Sequence, residues 1–90
     1  MKIYSVIFSE NAKKQLKKLD KHISSLIIAW LEKNVHGTTN PRQHGKSLTA
    51  NRTGQWRYRV GNYRIIADIQ DKKILVLIIE IGHRKNIYTN

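Results

Sequence analysis

The sequence predicts an α+β fold: an N-terminal strand, an antiparallel helical hairpin, and then a three-stranded antiparallel meander. Helical spacing of apolar residues is confined to the first half of the chain, between residues 9 and 34. Three segments rich in β-branched and aromatic residues follow at 55–60, 63–70 and 73–81, and their connections are short enough for hairpins. We expect residues 1–90 to form a single domain with one modest core.

The first strand and the two helices follow from simple local patterns. Residues 2–8 alternate between two faces and are rich in β-branched side chains, which predicts a strand. Ser9 is a good N-cap for the first helix. Asp20 can cap a second helix after almost no loop, which predicts an antiparallel hairpin. Residues 36–41 end that helix, and residues 41–54 are polar, basic and predicted to be irregular.

The charge of the chain is its strongest compositional signal. Lysine and arginine number 17 against 6 acidic residues, a net charge of +11 that favours RNA, DNA, an anionic membrane or an acidic protein as partner. The chain has no cysteine, which excludes a disulfide framework and thiol catalysis and fits a reducing cytosol. The longest apolar run, residues 74–79, is too short to span a membrane, and the N-terminus lacks a signal-peptide pattern. We therefore expect a soluble cytoplasmic protein with no membrane partner.

Arginines concentrate on one face of the predicted β-hairpin. Residues 33–67 contain no acidic residue. If residues 61–62 form a two-residue turn, Arg59 pairs with Arg64, and Arg57 points to the same face. Directly opposed like charges destabilise a sheet by about 0.2–1 kcal/mol. This cost predicts an anionic ligand, for which a phosphate backbone is the obvious candidate.

The hairpin face opposite the arginines is predicted to be core beneath the helices. It carries Trp56, Tyr58, Val60 and Tyr63. A platform on which nucleic-acid bases stack is the alternative interpretation of these rings. Trp30 on the second helix is likewise predicted to be core. Because there is no cysteine, acids are few and the histidines lack metal-ligand spacing, we expect no metal site and no cofactor.

Four segments resemble the RelE/ParE toxin superfamily of bacterial toxin–antitoxin systems. They are residues 8–20 (FSENAKKQLKKLD), 41–48 (PRQHGKSL), 54–65 (GQWRYRVGNYRI) and 81–88 (IGHRKNIY). Together they span nearly the whole chain in the family's order, and the third and fourth are the most specific. The resemblance implies a RelE-like small sheet packed on helices, and a toxin that is silenced by a cognate acidic antitoxin.

The resemblance leaves more than one activity open. RelE-like members are ribosome-dependent endoribonucleases that cut mRNA in the A site by attack of the 2′-hydroxyl, without metal. The 70S ribosome and mRNA would then be partners. ParE-like members share the fold and inhibit DNA gyrase, and an RNA-binding module without catalysis is a further alternative. The converged arginines and the ending formed by His83, Arg84 and Tyr88 favour the nuclease.

The resemblance implies catalytic roles for six residues: Arg57, Arg59, Arg64, His83, Arg84 and Tyr88. The arginines would bind the scissile phosphate and stabilise the charge that develops on it. The histidine is a natural acid or base near neutral pH, and the tyrosine would stack on a base or help proton transfer. The alternative for the hairpin arginines is a solvated face that serves only the antitoxin.

Further basic residues would bind RNA outside the catalytic group. Lys46 and Arg52 lie in the loop before the hairpin, and Lys13 and Lys17 lie on the first helix as secondary rRNA contacts. Some family members carry a glutamate general base in this loop, which this chain lacks. The sequence therefore leaves the identity of the base open.

Overall fold

A computed structural model gives the structure of residues 2–83, which form one mixed sheet with two helices packed on it. The strands are β1 (Ser5–Phe8), β2 (Lys46–Ser47), β3 (Trp56–Val60), β4 (Tyr63–Gln70) and β5 (Leu75–His83). The helices are α1 (Glu10–Lys18) and α2 (Lys21–Asn34). The strand order is β1-β5-β4-β3-β2, in which β1 pairs parallel with β5 and the other neighbours are antiparallel. The predicted α+β class, helical hairpin and meander are confirmed.

The sheet differs from the predicted one at its edges and ends. The segment predicted to be irregular contains β2 and a 3₁₀ turn at Ala50–Arg52, so the meander gains an edge strand. The last strand begins after a 3₁₀ turn at Asp71–Lys73 and ends later than predicted, at His83. The first strand begins only at Ser5, because the backbone of Tyr4 pairs instead with the segment that follows α2.

The core lies between the helices and one face of the sheet, which we call the helix face. Its fully or nearly fully buried residues include Ala12, Ile27, Leu31, Val35, Tyr58, Ile65, Ala67, Val76, Ile78 and Ile81. The partly buried rings of Trp30, Trp56 and Tyr63 pack against this core, as the sequence predicted. Neither helix of residues 2–83 is long and apolar enough to cross a membrane.

A β-bulge in β5 determines which of its side chains reach the core. Ala67 of β4 pairs with Ile78, but the preceding residue, Ile66, pairs with Glu80, so Ile79 is an extra residue in the ladder. The extra residue reverses the alternation of β5 from that point. Ile81 therefore turns into the core, and Glu80 turns to the opposite face of the sheet.

Side chains of α1 satisfy the backbone groups that the bulge leaves outside the ladder. The Asn11 side-chain amide donates to the carbonyl oxygen of Ile79 at 3.0 Å. The Gln15 side-chain oxygen accepts from the backbone N–H of Ile81 at 2.6 Å. Ser9, which caps α1 by accepting from the N–H of Ala12 as predicted, also donates to Ile79. The helix thus fixes the bulge, since buried backbone groups need partners.

Replacing Gln15 with Met should test this role of α1. The substitution keeps the volume of the side chain but leaves the N–H of Ile81 buried without an acceptor, so we expect a loss of about 1–3 kcal/mol in the free energy of unfolding. Urea unfolding followed by circular dichroism measures it. The matched control is Gln43→Met in an exposed loop, and equal losses in both variants would contradict the proposed support.

The loop between α2 and β2 is tied to the rest of the fold at several points. Arg42 makes a bidentate ion pair with Asp71, at 3.0 and 2.9 Å, and the Tyr4 hydroxyl donates to the same carboxylate at 2.7 Å. The hydroxyl of the buried Tyr58 donates to the carbonyl oxygen of Pro41 at 2.6 Å. The Arg42 guanidinium, and then the Tyr4 hydroxyl, lower the pKa of Asp71 to about 2.

Acid should remove the stabilisation that Asp71 provides. Because its pKa is depressed in the folded chain, the stabilisation is complete above the unfolded pKa of about 3.9 and is lost as the pH falls towards 2. We expect Asp71→Asn to lower the free energy of unfolding by about 0.2–1 kcal/mol at neutral pH, the range for an exposed ion pair. In strong acid, where Asp71 is protonated, the variant and the unaltered chain should have the same free energy of unfolding. Urea unfolding at neutral pH and in strong acid measures this difference. Arg42→Gln should abolish most of the pH dependence, because the Arg42 guanidinium is the main cause of the lowered pKa of Asp71.

Candidate functional site

The β3–β4 hairpin has the register that the sequence predicted. Val60 pairs with Tyr63 and Arg59 pairs with Arg64 across a two-residue turn. Gly61 opens that turn with φ of 59°, in the left-handed region that glycine adopts without steric cost. Side chains directly opposite in an antiparallel pair have Cβ atoms about 4.5–5.5 Å apart, so the two guanidinium stems start side by side.

The cations collect on the side of the sheet that faces away from the helices, which we call the arginine face. Strand alternation places Arg57, Arg59 and Arg64 there, opposite Tyr58 in the core. The short strand β2 adds Lys46, which pairs directly with Arg57. The loop lysine predicted to contact RNA thus joins the predicted phosphate site.

The cations of the arginine face differ in their access to solvent. Arg59 and Lys46 are exposed, Arg57 is half-buried, and Arg64 is only 4% exposed. Burial, and then the neighbouring charge of Arg59, lowers the pKa of the Arg57 guanidinium, which nevertheless stays protonated at physiological pH. Arg59 and Lys46 are therefore open to solvent, whereas Arg64, directly opposite Arg59 on β4, is buried.

The β-bulge brings a carboxylate to this face that the sequence analysis missed. Glu80 forms an ion pair with Arg52, 2.6 Å between Oε1 and Nη2, and both side chains are half-buried. Arg52 also donates to the side-chain oxygen of Gln55 at 3.2 Å, which fixes the 3₁₀ turn before β3. Asp68 lies on the same face and accepts from Gln70 at 2.9 Å. An acidic residue within the apolar run of β5 was the available signal, because strict alternation would have buried Glu80.

Other predicted site residues lie elsewhere. His83 pairs with Tyr63, and the two rings meet edge to face with centroids 5.5 Å apart, so His83 lies on the helix face and away from the arginines. Lys13 and Lys17 are exposed on α1, on the helix side of the sheet, where Lys13 contacts Glu10 at 3.3 Å. The predicted residues Arg84 and Tyr88 fall outside the described residues.

A cleft of about 320 Å³ opens at the outer edge of β3. We call it the edge cleft, and its lining residues are Trp30, His44, Gly45, Lys46, Arg57 and Arg59. The rings of Trp30 and His44 meet edge to face, with centroids 5.6 Å apart. The sequence analysis missed this cleft, because the loop that carries His44 has no local pattern that predicts its position.

The arginine face has a strongly positive surface. Four cationic side chains lie on this face, three of them also at the edge cleft, and arginine offers a planar fork that matches phosphate. Within residues 2–83, no group of three or more His, Cys, Asp or Glu side chains could hold a metal ion. The described site therefore offers fixed positive charge and hydrogen-bond donors to a ligand.

Comparisons with known proteins find similar toxins of toxin–antitoxin systems. The chain is 29% identical to Toxin RelG of Mycobacterium tuberculosis over 85 residues, which are 94% of this chain and 95% of RelG. Its fold is similar to that in the toxin–antitoxin complex RelBE2 from M. tuberculosis, with a TM-score of 0.83, 28% identity, and 93% and 94% of the two chains covered. It also shares the fold of the isolated Escherichia coli RelE toxin, with a TM-score of 0.70, 22% identity, and 89% and 83% covered.

A family-level match covers almost the whole chain. The model of the ParE toxin of type II toxin–antitoxin systems, parDE, matches residues 6–88. The matched range includes both helices, the arginine hairpin and the last strand. The chain therefore belongs to the ParE toxin family, within the RelE/ParE superfamily of type II toxin–antitoxin systems.

Proposed function

We propose that this toxin is a ribosome-dependent endoribonuclease that cuts messenger RNA in the ribosomal A site. The observation that carries the proposal is the arginine face, where Arg59 is held directly opposite Arg64 and Lys46 directly opposite Arg57. Like charges at opposed positions destabilise the free protein, and a bound phosphate chain relieves that repulsion. The similarity to toxins named RelG and RelE supports the same activity.

The proposed chemistry is attack of the 2′-hydroxyl on the adjacent phosphate, which needs no metal ion. Arg57 and Arg59 would bind the scissile phosphate, and the buried Arg64 would add fixed charge that stabilises the transition state. Proton transfer needs a titratable group close to the cations. Glu80 lies on the arginine face in contact with Arg52, so we propose it as a candidate for this step, beside the family-implied Tyr88. The family-implied His83 does not meet the requirement, because it lies on the helix face.

We propose an acidic antitoxin, the 70S ribosome and mRNA as partners. The net charge of +11 favours all three, since each presents dense negative charge. Several structures similar to this chain are complexes of a RelE toxin with RelB, from E. coli and from the archaea Methanococcus jannaschii and Pyrococcus horikoshii. No cofactor enters the proposal, and the target would be cytoplasmic.

Inhibition of DNA gyrase is the second candidate, because the matching family model is that of a ParE toxin. DNA and RNA both present phosphate, so the positive charge alone favours neither. The two candidates differ in whether the protein changes a covalent bond. A nuclease leaves a cut strand, whereas a gyrase inhibitor leaves supercoiling activity reduced.

Primer extension on mRNA held in purified ribosomes with an empty A site tests the proposal. We expect a discrete cut within the A-site codon when the toxin is present, and none when ribosomes are omitted. If the toxin also cut RNA without ribosomes, adding EDTA to that reaction would show whether the cut depends on a metal ion. An intact message, together with loss of DNA supercoiling by gyrase in a parallel reaction, would replace the nuclease with the gyrase inhibitor.

Arg59→Gln should change stability and activity in opposite directions. Removing the charge opposite Arg64 relieves repulsion, so the free energy of unfolding should rise by about 0.2–1 kcal/mol. Loss of a charged hydrogen bond to phosphate should lower the cleavage rate about ten- to a hundredfold. Urea unfolding and the A-site assay measure the two effects.

The matched control for Arg59→Gln is Lys72→Gln. It removes one positive charge from an exposed position in the 3₁₀ turn at Asp71–Lys73, between β4 and β5. We expect the free energy of unfolding to change by less than about 0.5 kcal/mol, and the cleavage rate to stay close to that of the unaltered toxin. Equal loss of cleavage in both variants would mean that the total charge matters and that the arginine face has no special role.

A further inference from the structure

We propose that the edge cleft binds one base of a single-stranded RNA, with the sugar–phosphate chain lying on the cations at its rim. The inference deepens the proposed function and rests on it, since it adds a base-binding subsite to the phosphate-binding arginine face. The lining of the cleft combines two aromatic rings, Trp30 and His44, with three cations, Lys46, Arg57 and Arg59.

The position of Trp30 makes its ring available to a ligand. The ring packs against the core on one side, with its centroid 5.7 Å from that of Tyr58. It also lines two adjoining clefts, the edge cleft and a second one along α2 that includes Leu26 and Val60. The Trp30 side chain therefore lies between two clefts, and the part of its ring that does not pack against the core is open to them. Aromatic side chains at such positions stack on bases without regard to sequence.

His44 completes an aromatic corner with Trp30. The two rings meet at an interplanar angle of 71°, so a planar ligand stacked on one ring presents its edge to the other. The His44 ring is half-buried, which leaves part of it open to the cleft. The imidazole adds hydrogen-bonding nitrogens that can reach the edge of a base.

The backbone that presents His44 is fixed before any ligand binds. The indole N–H of Trp56 donates to the His44 carbonyl oxygen at 2.7 Å. The next residue, Gly45, has φ of 88°, and a Cβ there would collide with the Arg57 carbonyl oxygen and the Trp56 indole nitrogen. The loop is therefore packed directly on β3. A preformed corner loses little entropy when a ligand enters.

The charges around the cleft specify a nucleotide rather than a neutral aromatic ligand. Lys46, Arg57 and Arg59 line the cleft, and among residues 2–83 no acidic residue belongs to its lining. The carboxylates of the same sheet face, on Asp68 and Glu80, lie on β4 and β5, whereas the cleft is at the β3 edge. An acidic peptide would satisfy the cations but would leave the aromatic corner unused. A nucleotide satisfies both features at once.

Binding of a 2′-O-methyl RNA hexanucleotide, which cannot undergo 2′-hydroxyl attack, tests the inference without the ribosome. Its comparison ligand is the same sugar–phosphate chain without bases. We expect the unaltered toxin to bind the RNA about five- to a hundredfold more tightly than the abasic chain, the range given by stacking of one base. Fluorescence anisotropy of the labelled ligands gives both dissociation constants.

Two substitutions of His44 separate stacking from the rest of the site. His44→Ala should lower the preference for the base-containing ligand about fivefold or more, and His44→Phe should retain most of it, because a ring is restored. Lys46→Ala should instead weaken both ligands equally and reduce the salt dependence by about one released counterion. Far-UV circular dichroism and the unfolding midpoint confirm that each variant is folded.

Equal affinity of the unaltered toxin for the two ligands would overturn the inference, as would a base preference that His44→Ala leaves unchanged. If an acidic antitoxin peptide bound at the cleft while the toxin showed no preference for the base-containing ligand over the abasic one, the cleft would be assigned to the antitoxin. Cleavage in the A-site assay with no base preference would remove only the subsite. A base preference without any cleavage would retain the subsite and remove the proposed nuclease.

Discussion

The register of the β3–β4 hairpin is the constraint on which the rest of the structure depends. Successive side chains of a strand point to opposite faces, so a slip of one residue would send the arginines into the core and Tyr58 into solvent. Gly61 at the turn and the burial of Tyr58 both fix the observed register. The separation of chemistry follows from it, with apolar packing on the helix face and positive charge on the arginine face. A single sheet thereby provides both a core face and the surface that we propose for a ligand.

The arginine face pairs like charges across neighbouring strands. Arg59 lies opposite Arg64 and Lys46 lies opposite Arg57, and like charges at directly opposed positions destabilise a sheet. The bulge at Ile79 moves Glu80 to this face, where its carboxylate holds Arg52 and lowers the local positive charge. This ion pair joins β5 to the loop before β3, whereas the cations that line the edge cleft lie on β2 and β3. The like-charge pairs are the observation on which we propose this face as a ligand-binding surface.

The sequence predicted local pairing well and long-range placement poorly. The hairpin pairs of Arg59 and Val60 follow from alternation and a two-residue turn, which involve neighbours in the chain. Glu80 could not be placed from sequence, because its orientation depends on a bulge held by the bond from the Ile81 N–H to Gln15, which is 66 residues from Ile81. His44 could not be placed either, since its loop is fixed by bonds from Trp56 and by the Arg42 ion pair with Asp71. Patterns of period two or 3.6 carry no information on such contacts.

Nuclease and gyrase inhibitor share this fold, so the choice between them depends on side chains and cannot follow from the topology. A protein inhibitor needs a complementary surface, whereas a ribonuclease needs phosphate contacts, space for a base and a group that moves a proton. The described residues bring the first two together along the β3 edge, where Arg57 and Arg59 line the same cleft as Trp30 and His44. The half-buried carboxylate of Glu80 lies across the sheet from Arg57, one strand beyond Ile66. The cations and the aromatic corner adjoin in one cleft, and the Glu80 carboxylate lies two strands away on the same sheet face. We take this arrangement of the three kinds of group as support for the proposed nuclease over the inhibitor.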